Sequence, residues 1–183
     1  MILSNTEIQK ALEEGRLIIS PEPQPRDYDT TAVNLHLGVG LAIPKGGSFS
    51  YDLTKPGFAT TLARNCDHTE IPATGYPLEP KKFVLGITAE RVHLKLVPGQ
   101  TLAARIEGKS SVARCGLLIH FTAPTVHAGW DGPLALEMIN LGVADFTLRP
   151  GMPICQLILE TVLGDPTANP SQFQGQSKPS GTS

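Results

Sequence analysis

Short apolar runs separated by turn residues constrain the fold of this chain more than any other feature of its sequence. From residue 32 onward, segments such as "AVNLHLG", "GLLIHFTA", "PLALEMINLG" and "PICQLILETVL" follow one another with Gly- and Pro-containing turns between them. In the first of these, Val33, Leu35 and Leu37 alternate with Asn34 and His36, which is the period of a half-buried strand. Strands do not alternate with helical segments, so a doubly wound parallel sheet is not expected. The pattern predicts a mainly β protein, either a barrel or a jelly-roll-like sandwich.

The clearest helix signal lies at the N-terminus, in "LSNTEIQKALEEGRL". Ser4 and Glu7 have the spacing of a capping box, Leu3 and Ile8 have that of a hydrophobic staple, and Gly15 is a favourable helix end. A helix this short is stable only when it packs on the rest of the protein. We therefore expect one β domain over residues 1–163 that begins with this helix.

Composition and charge exclude several classes of function. The 183 residues are 40% apolar, which is enough for one domain with a core, and the net charge of −2 provides no general attraction for nucleic acid or a membrane surface. No apolar run approaches the roughly 20 residues of a membrane span, and no signal peptide is evident at the start. The three cysteines, Cys66, Cys115 and Cys155, do not suggest a disulfide framework. We expect a soluble, cytoplasmic protein in a reducing compartment, in which an anionic ligand needs a local cluster of cations.

The last segment, residues 164–183, reads "GDPTANPSQFQGQSKPSGTS" and is rich in Pro, Ser, Gly and Gln. Such a composition cannot bury much apolar surface, so the segment is expected to be flexible. It is either a disordered end or a lid that becomes ordered over a ligand. Phe173, the one large apolar residue of this segment, favours docking.

A polar cluster in "GKSSVARCG" could bind phosphate. Lys109, Ser110, Ser111 and Arg114 bring two hydroxyl groups and two cations into six residues, and these groups can contact several phosphate oxygens together. An ordinary solvated turn would have the same composition. The cluster is not a Walker loop, because no Gly-x-x-x-x-Gly-Lys precedes the serines.

Glu137 is the second candidate, because it is the one acid in the apolar run "PLALEMINLG". A buried carboxylate is unfavourable unless it is paired or has a chemical role, and a carboxylate in such a run could take a proton from water and return it to a leaving group. The alternative is a strand glutamate that faces outward, which the alternation also permits. The five histidines have no metal-ligand spacing, and the zinc-deaminase signature is absent, so no protein-bound zinc is expected.

Several ordered motifs together resemble the dCTP deaminase branch of the dUTPase superfamily. They are the N-terminal "MILSNTEIQKALEEGRL", the strand "FVLGITAERVHL", the long core "GKSSVARCGLLIHFTAPTVHAGWDGPLALEMINLG", the segment "LRPGMPICQL" and the tail "FQGQ". The resemblance implies a distorted jelly-roll or β-barrel of the dUTPase-like (β-clip) type with a short N-terminal helix, assembled as a homotrimer. It also implies hydrolytic deamination of dCTP to dUTP and ammonia, a reaction that feeds dUMP and dTTP synthesis.

The resemblance also assigns roles to residues. Glu137 would be the general base that activates water at cytosine C4, with Arg114 and Ser110 as further catalytic residues. Mg²⁺ would arrive on the triphosphate of the nucleotide, and dTTP is a possible inhibitor. The remaining implied substrate-binding positions are Lys109, Ser111, Val112, Ala113, Ala123, His127, Ala135, Leu136, Gln156, Gln172, Phe173, Gln176 and Lys178.

The sequence departs from the family pattern at three of these positions. His127 stands where the family usually has Asp, and a neutral imidazole cannot supply a fixed negative charge. Gln172 replaces a phosphate-binding Lys, for which Lys178 could substitute, and Phe173 replaces Tyr. These departures leave three alternatives open: a deaminase that releases dUTP, a bifunctional dCTP deaminase and dUTP diphosphatase that yields dUMP, and a catalytically weak nucleotide-binding paralogue.

Overall fold

The computed structural model describes residues 1–47, 50, 52–54 and 57–181, with the backbone alone at residues 58 and 59. The last two residues of the predicted tail, 182 and 183, lie outside the described residues. Within them, the helices are α1 (Asn5–Glu13), α2 (Phe58–Arg64) and α3 (Ser110–Ala113), and a 3-10 turn spans Pro25–Asp27. The strands are β1 (Leu17–Ser20), β2 (Tyr28–Asp29), β3 (Ala32–Pro44), β4 (Cys66–Glu70), β5 (Tyr76–Leu78), β6 (Phe83–Leu94), β7 (Leu102–Gly108), β8 (Leu117–Leu118), β9 (Thr125–Val126), β10 (Asp131–Asn140), β11 (Phe146–Leu148) and β12 (Pro153–Thr161).

One curled, antiparallel sheet organises the molecule. Its central order is β8-β10-β6-β3-β12-β7-β9, with β1 paired to β6 and with β2 and β4 paired to β3, while β5 and β11 form a separate pair. The first half of β3, from Val33 to His36, pairs with β12. Its second half pairs with β4 and β6, and the register with β6 shifts between Leu37 and Leu41. Because one strand belongs to both halves, the sheet folds around a common core, and the predicted mainly β architecture is confirmed.

The predicted N-terminal helix is also confirmed. The Ser4 side chain caps it by accepting a hydrogen bond from Glu7 N at 3.3 Å, and Gly15 follows its end with φ 66°, a left-handed conformation that glycine tolerates. Leu3 and Ile8 are buried against the sheet. None of the helices in the described part of the chain is long and apolar enough to cross a membrane.

The alternation along β3 determines what enters the core. Val33, Leu35 and Leu37 are fully buried, as predicted, and Asn34 and His36 lie on the opposite face. The second face is also largely covered: Asn34 is 8% exposed. Alternation therefore predicted the apolar face correctly, but the packing of both faces depends on the curled sheet.

A buried polar cluster surrounds His36. Glu90 and Asp27 are each 5% exposed, and their carboxylates lie 2.6 Å from His36 Nδ1 and 3.4 Å from His36 Nε2, respectively. Glu90 also accepts a hydrogen bond from His36 N at 2.9 Å. Buried charges are tolerated where they are paired and hydrogen-bonded in this way.

Candidate active site

Glu137 lies on the outward face of β10. Along this strand Leu134, Leu136 and Met138 are buried in the core, and Ala135 and Glu137 occupy the half-buried opposite face. Of the two alternatives for Glu137, a carboxylate buried in the core or an outward-facing strand residue, the structure shows the second. Its position is nevertheless specific, because Glu137 forms part of the wall of a cavity.

A backbone N–H group orients the Glu137 carboxylate. The backbone N–H of Phe121 donates a hydrogen bond to Glu137 Oε2 at 3.2 Å. The Phe121 ring also packs edge-on against Phe83, with 5.6 Å between the ring centroids. An amide donor held in this way fixes one carboxylate oxygen and leaves the other available for a ligand or water.

The cavity has a volume of about 650 Å³ and is mainly apolar. Its walls come from β10, from the segment that contains β9, from Leu62 and Leu85, and from the C-terminal tail. Glu137 and His127 are the titratable residues among its described lining, and no Lys or Arg is included. Six of the predicted site residues lie together here: Ala123, His127, Ala135, Glu137, Phe173 and Gln176.

The tail reaches this cavity by following the outer edge of β10. Gln174 Nε2 donates to Gly129 O at 3.0 Å, Gly175 N donates to Asp131 O at 3.0 Å, and Gln176 Nε2 donates to Pro133 O at 3.1 Å. The residue numbers of the donors and of the acceptors increase together, so the tail runs parallel to β10 and to the residues just before it. The predicted flexibility of residues 164–183 stays a prediction, since these contacts describe one docked arrangement.

Asp131, one of the residues that the tail contacts, is itself held by an arginine. Arg91 Nε and Nη2 each lie 2.8 Å from an oxygen of the Asp131 carboxylate. The hydrogen bond and the negative charge of Asp131 raise the pKa of Arg91 above its ordinary value. The start of β10 is therefore anchored to β6 on one side while its backbone accepts the tail on the other.

The outer edge of β10 is only partly covered. The tail occupies it near Asp131 and Pro133, and β8 pairs with it at Ile139 and Asn140. Between these two points, no other described strand pairs with that edge. The predicted backbone contacts at Ala135 and Leu136 fall in this interval, although the Leu136 side chain itself is fully buried in the core.

The other predicted residues lie elsewhere in the chain. Lys109 precedes the short helix α3, and its Nζ donates a hydrogen bond to Asn34 Oδ1. Gln156 on β12 donates from Nε2 to Asp29 Oδ2 at 2.5 Å. None of the residues of the α3 segment lines the cavity in this chain; these are Lys109, Ser110, Ser111, Val112, Ala113 and Arg114.

Most of the predicted site residues that do not line the cavity are exposed on the surface of the chain. Ser110, Ser111 and Arg114 are exposed, and their functional groups therefore face the surface of this chain. Gln172 and Lys178 in the tail are exposed as well and lie outside the cavity lining. The predicted site residues thus form two groups: an apolar cavity with one acid, and a surface segment with two cations and two hydroxyl groups.

Sequence reasoning missed several parts of the cavity. Leu62 and Leu85 form part of its apolar wall, but nothing distinguishes them from ordinary core residues in the sequence. Ser180 is buried in the wall, although it comes from a stretch of low complexity that gives no signal for burial. Among the residues that the structure describes, no group of three or more His, Cys, Asp or Glu side chains could hold a metal ion.

Comparison with known proteins identifies the family. The family model for dCTP deaminase-like proteins matches residues 2–162. The chain belongs to the dCTP deaminase-like family. This result confirms the family that the sequence motifs indicated, and the matched range includes α1, the α3 segment and β10.

Individual relatives agree with this assignment. A dCTP deaminase of Rhodospirillum rubrum is 37% identical over 93% of this chain and 87% of its own length. A dUMP-forming dCTP deaminase of Methanobrevibacter smithii is 32% identical over 97% of this chain and 92% of its own length. The solved 2'-deoxycytidine 5'-triphosphate deaminase from Agrobacterium tumefaciens has a TM-score of 0.67 and 20% identity; the match covers 88% of this chain and 48% of that chain, and it supports the fold.

Proposed function

We propose that this protein hydrolytically deaminates dCTP to dUTP and ammonia. The family assignment and the names of the relatives support the reaction class. The observation that carries the proposal is the position of Glu137, the one carboxylate among the described residues that line the apolar cavity. Its oxygen is oriented by the Phe121 N–H, and a carboxylate held in this way is suited to act as a general base.

The reaction would proceed by addition of water to the cytosine ring. Glu137 takes a proton from water as the water oxygen bonds to C4; the C4–N3 double bond opens, and C4 becomes tetrahedral with the electron pair on N3. The same carboxyl group then returns its proton to the amino group, the bond from C4 to that group breaks and ammonia leaves, while the proton of the new hydroxyl group passes to N3 and the uracil carbonyl forms. The uncovered backbone edge near Ala135 and Leu136 would recognise the pyrimidine by hydrogen bonds.

Phosphate binding requires positive charge, which the described lining of this cavity does not provide. A nucleoside triphosphate is strongly anionic, yet no Lys or Arg is present in the described lining. Arg114 and the two serines at α3 are exposed, and half-buried Lys109 precedes them. We infer that the protein is a homotrimer in which the α3 segment of one subunit completes the cavity of the next, with Ser110 and Arg114 beside the base and Mg²⁺ on the phosphates.

The nature of residue 127 favours dUTP as the product. His127 is exposed at the cavity, and a neutral imidazole is a poorer permanent acceptor for orienting water at the phosphates than a carboxylate. Formation of dUMP is the second candidate, because the relative from Methanobrevibacter smithii is named as dUMP-forming. Product analysis after incubation with dCTP and Mg²⁺ separates dUTP, dUMP and the absence of a product.

The role of Glu137 is tested with Glu137→Gln. The amide keeps the shape and can still accept the Phe121 N–H, but it cannot act as the base, so deamination should fall by about 10²–10⁴-fold. Glu70→Gln makes the same chemical change at an exposed position of β4 and should leave turnover unchanged. Wild-type turnover by the Glu137 variant would mean that this residue is only part of the strand.

Shared sites are tested by mixing two inactive variants. Glu137→Gln and Arg114→Ala should each be inactive as homotrimers. If each site takes Glu137 from one subunit and Arg114 from another, unfolding and refolding the mixture should restore about a quarter of the wild-type activity, because about a quarter of the sites are then intact. Trimers that mix without any recovery would contradict a site shared in this way.

A further inference from the structure

Ser180 has a buried hydroxyl group in the cavity wall for which the described part of the chain provides no hydrogen-bond partner. The residue is 2% exposed, and its Oγ has no acceptor or donor among the described residues. It lines the same cavity as Glu137. The great majority of buried polar atoms in native proteins are hydrogen-bonded, so an unpaired hydroxyl in a cavity wall indicates a missing partner.

The structure of the tail fixes the position of this hydroxyl. After Gln176 bonds to Pro133 O, the chain turns so that Pro179 packs against the backbone of Gly40. Gly181 N then donates to Lys178 O at 3.0 Å, which closes a tight turn around Ser180. Ser180 therefore lies in this turn between buried Pro179 and half-buried Gly181.

The chemistry of the cavity indicates which part of a ligand could meet the hydroxyl. A serine hydroxyl can both donate and accept a hydrogen bond. The described lining contains no Lys or Arg, and a phosphate group would need such charges. The neutral, polar atoms of a nucleoside, namely a sugar hydroxyl or a base nitrogen or oxygen, suit this environment.

We propose that Ser180 Oγ hydrogen-bonds the nucleoside half of the bound nucleotide when the tail is docked, and that it is a further substrate-binding residue. This inference rests on the proposed function, since it takes a cytosine nucleotide as the ligand of the cavity. On this proposal, the end of the tail both covers the ligand and contacts it directly. It also explains why a polar side chain is buried at this point without a partner among the described residues.

The test compares wild type, Ser180→Ala and Ser177→Ala. Ser177 is an exposed serine of the same tail outside the cavity lining, so it is a matched control for the same chemical change. Loss of a hydrogen bond to the ligand should raise KM for dCTP by about tenfold in Ser180→Ala. Ser177→Ala should keep the wild-type KM.

The stability of the nucleotide-free protein separates binding from structure. Ser180→Ala removes no hydrogen bond to any described residue of the free protein, so its Tm should equal or exceed that of wild type. A lower Tm without nucleotide would assign Ser180 a structural role and overturn the inference. An unchanged KM for dCTP would overturn it as well.

A second ligand makes the outcome independent of turnover. dCMP retains the nucleoside half with a single phosphate, and it should raise the Tm of wild type and Ser177→Ala more than that of Ser180→Ala. If wild type does not deaminate dCTP, the proposed function fails, but this difference in dCMP-induced Tm still supports the contact. Equal shifts in the three proteins, or no shift from dCMP in wild type, would overturn it.

Discussion

Gly181→Ala should release the docked tail, because both the backbone conformation and the surroundings of this glycine disfavour a side chain. Its φ is 82°, in the left-handed region, where a Cβ costs about 1–2 kcal/mol. A Cβ there would also lie 2.5 Å from Cδ1 and 2.6 Å from Cε1 of Phe173, so the ring or the turn must move. Forcing an extra methyl group into a packed site costs a further ~1–3 kcal/mol.

Gly175→Ala separates these two effects. Gly175 also has a positive φ, 71°, but a Cβ at this position meets no atom within 4 Å. Both variants therefore include the backbone strain, and only Gly181→Ala adds the clash with Phe173. The difference of about 1–3 kcal/mol corresponds to a 5- to 150-fold difference in the fraction of undocked tail.

Amide hydrogen exchange measures this fraction directly. The amide at position 175 donates to Asp131 O, so its protection reports the opening of the tail from β10. We expect the backbone strain to lower protection by about 5- to 30-fold in Gly175→Ala, and the clash to lower it by a further 5- to 150-fold or so in Gly181→Ala. Equal protection in the two variants would refute the reasoning, because the contact between residue 181 and Phe173 would then not contribute to docking.

Three further outcomes are expected. Asn140→Ala should lower the free energy of unfolding, measured by urea titration, by about 3 kcal/mol. The side chain of Asn140 is fully buried; it donates to Leu78 O and Ala144 O and accepts from Gly142 N, each at 2.8 Å. A loss below about 1 kcal/mol would contradict a contribution from all three hydrogen bonds. A thiol reagent should label exposed Cys115 rapidly in the native protein and buried Cys66 and Cys155 only after unfolding, as peptide mapping would detect. Burial raises the pKa of the Cys155 thiol, so the contribution of this thiol to folding stability is complete below the unfolded thiol pKa of about 8.5 and decreases above it. The loss of unfolding free energy caused by Cys155→Ala should therefore shrink by about 1.4 kcal/mol per pH unit above that value. A loss that stays constant from about pH 7.5 to 9.5 would contradict this.

Local sequence determined the elements on which the site is built. The apolar alternation in β10 placed Leu136 and Met138 in the core and Glu137 on the opposite face, because successive side chains of a strand point to opposite sides. The signals around Ser4 and Gly15 likewise marked both ends of α1, since capping and left-handed backbone are properties of a few consecutive residues. The family, too, was recognisable from ordered motifs.

Tertiary structure decided what surrounds Glu137. Its orienting donor is the Phe121 N–H, 16 residues away, and the tail that covers the cavity reaches β10 from more than 30 residues further along the chain. The burial of Ser180 and the distribution of the predicted residues between the cavity and the α3 segment have the same origin. These contacts depend on how a curled sheet brings distant segments together, and no local periodicity encodes that arrangement.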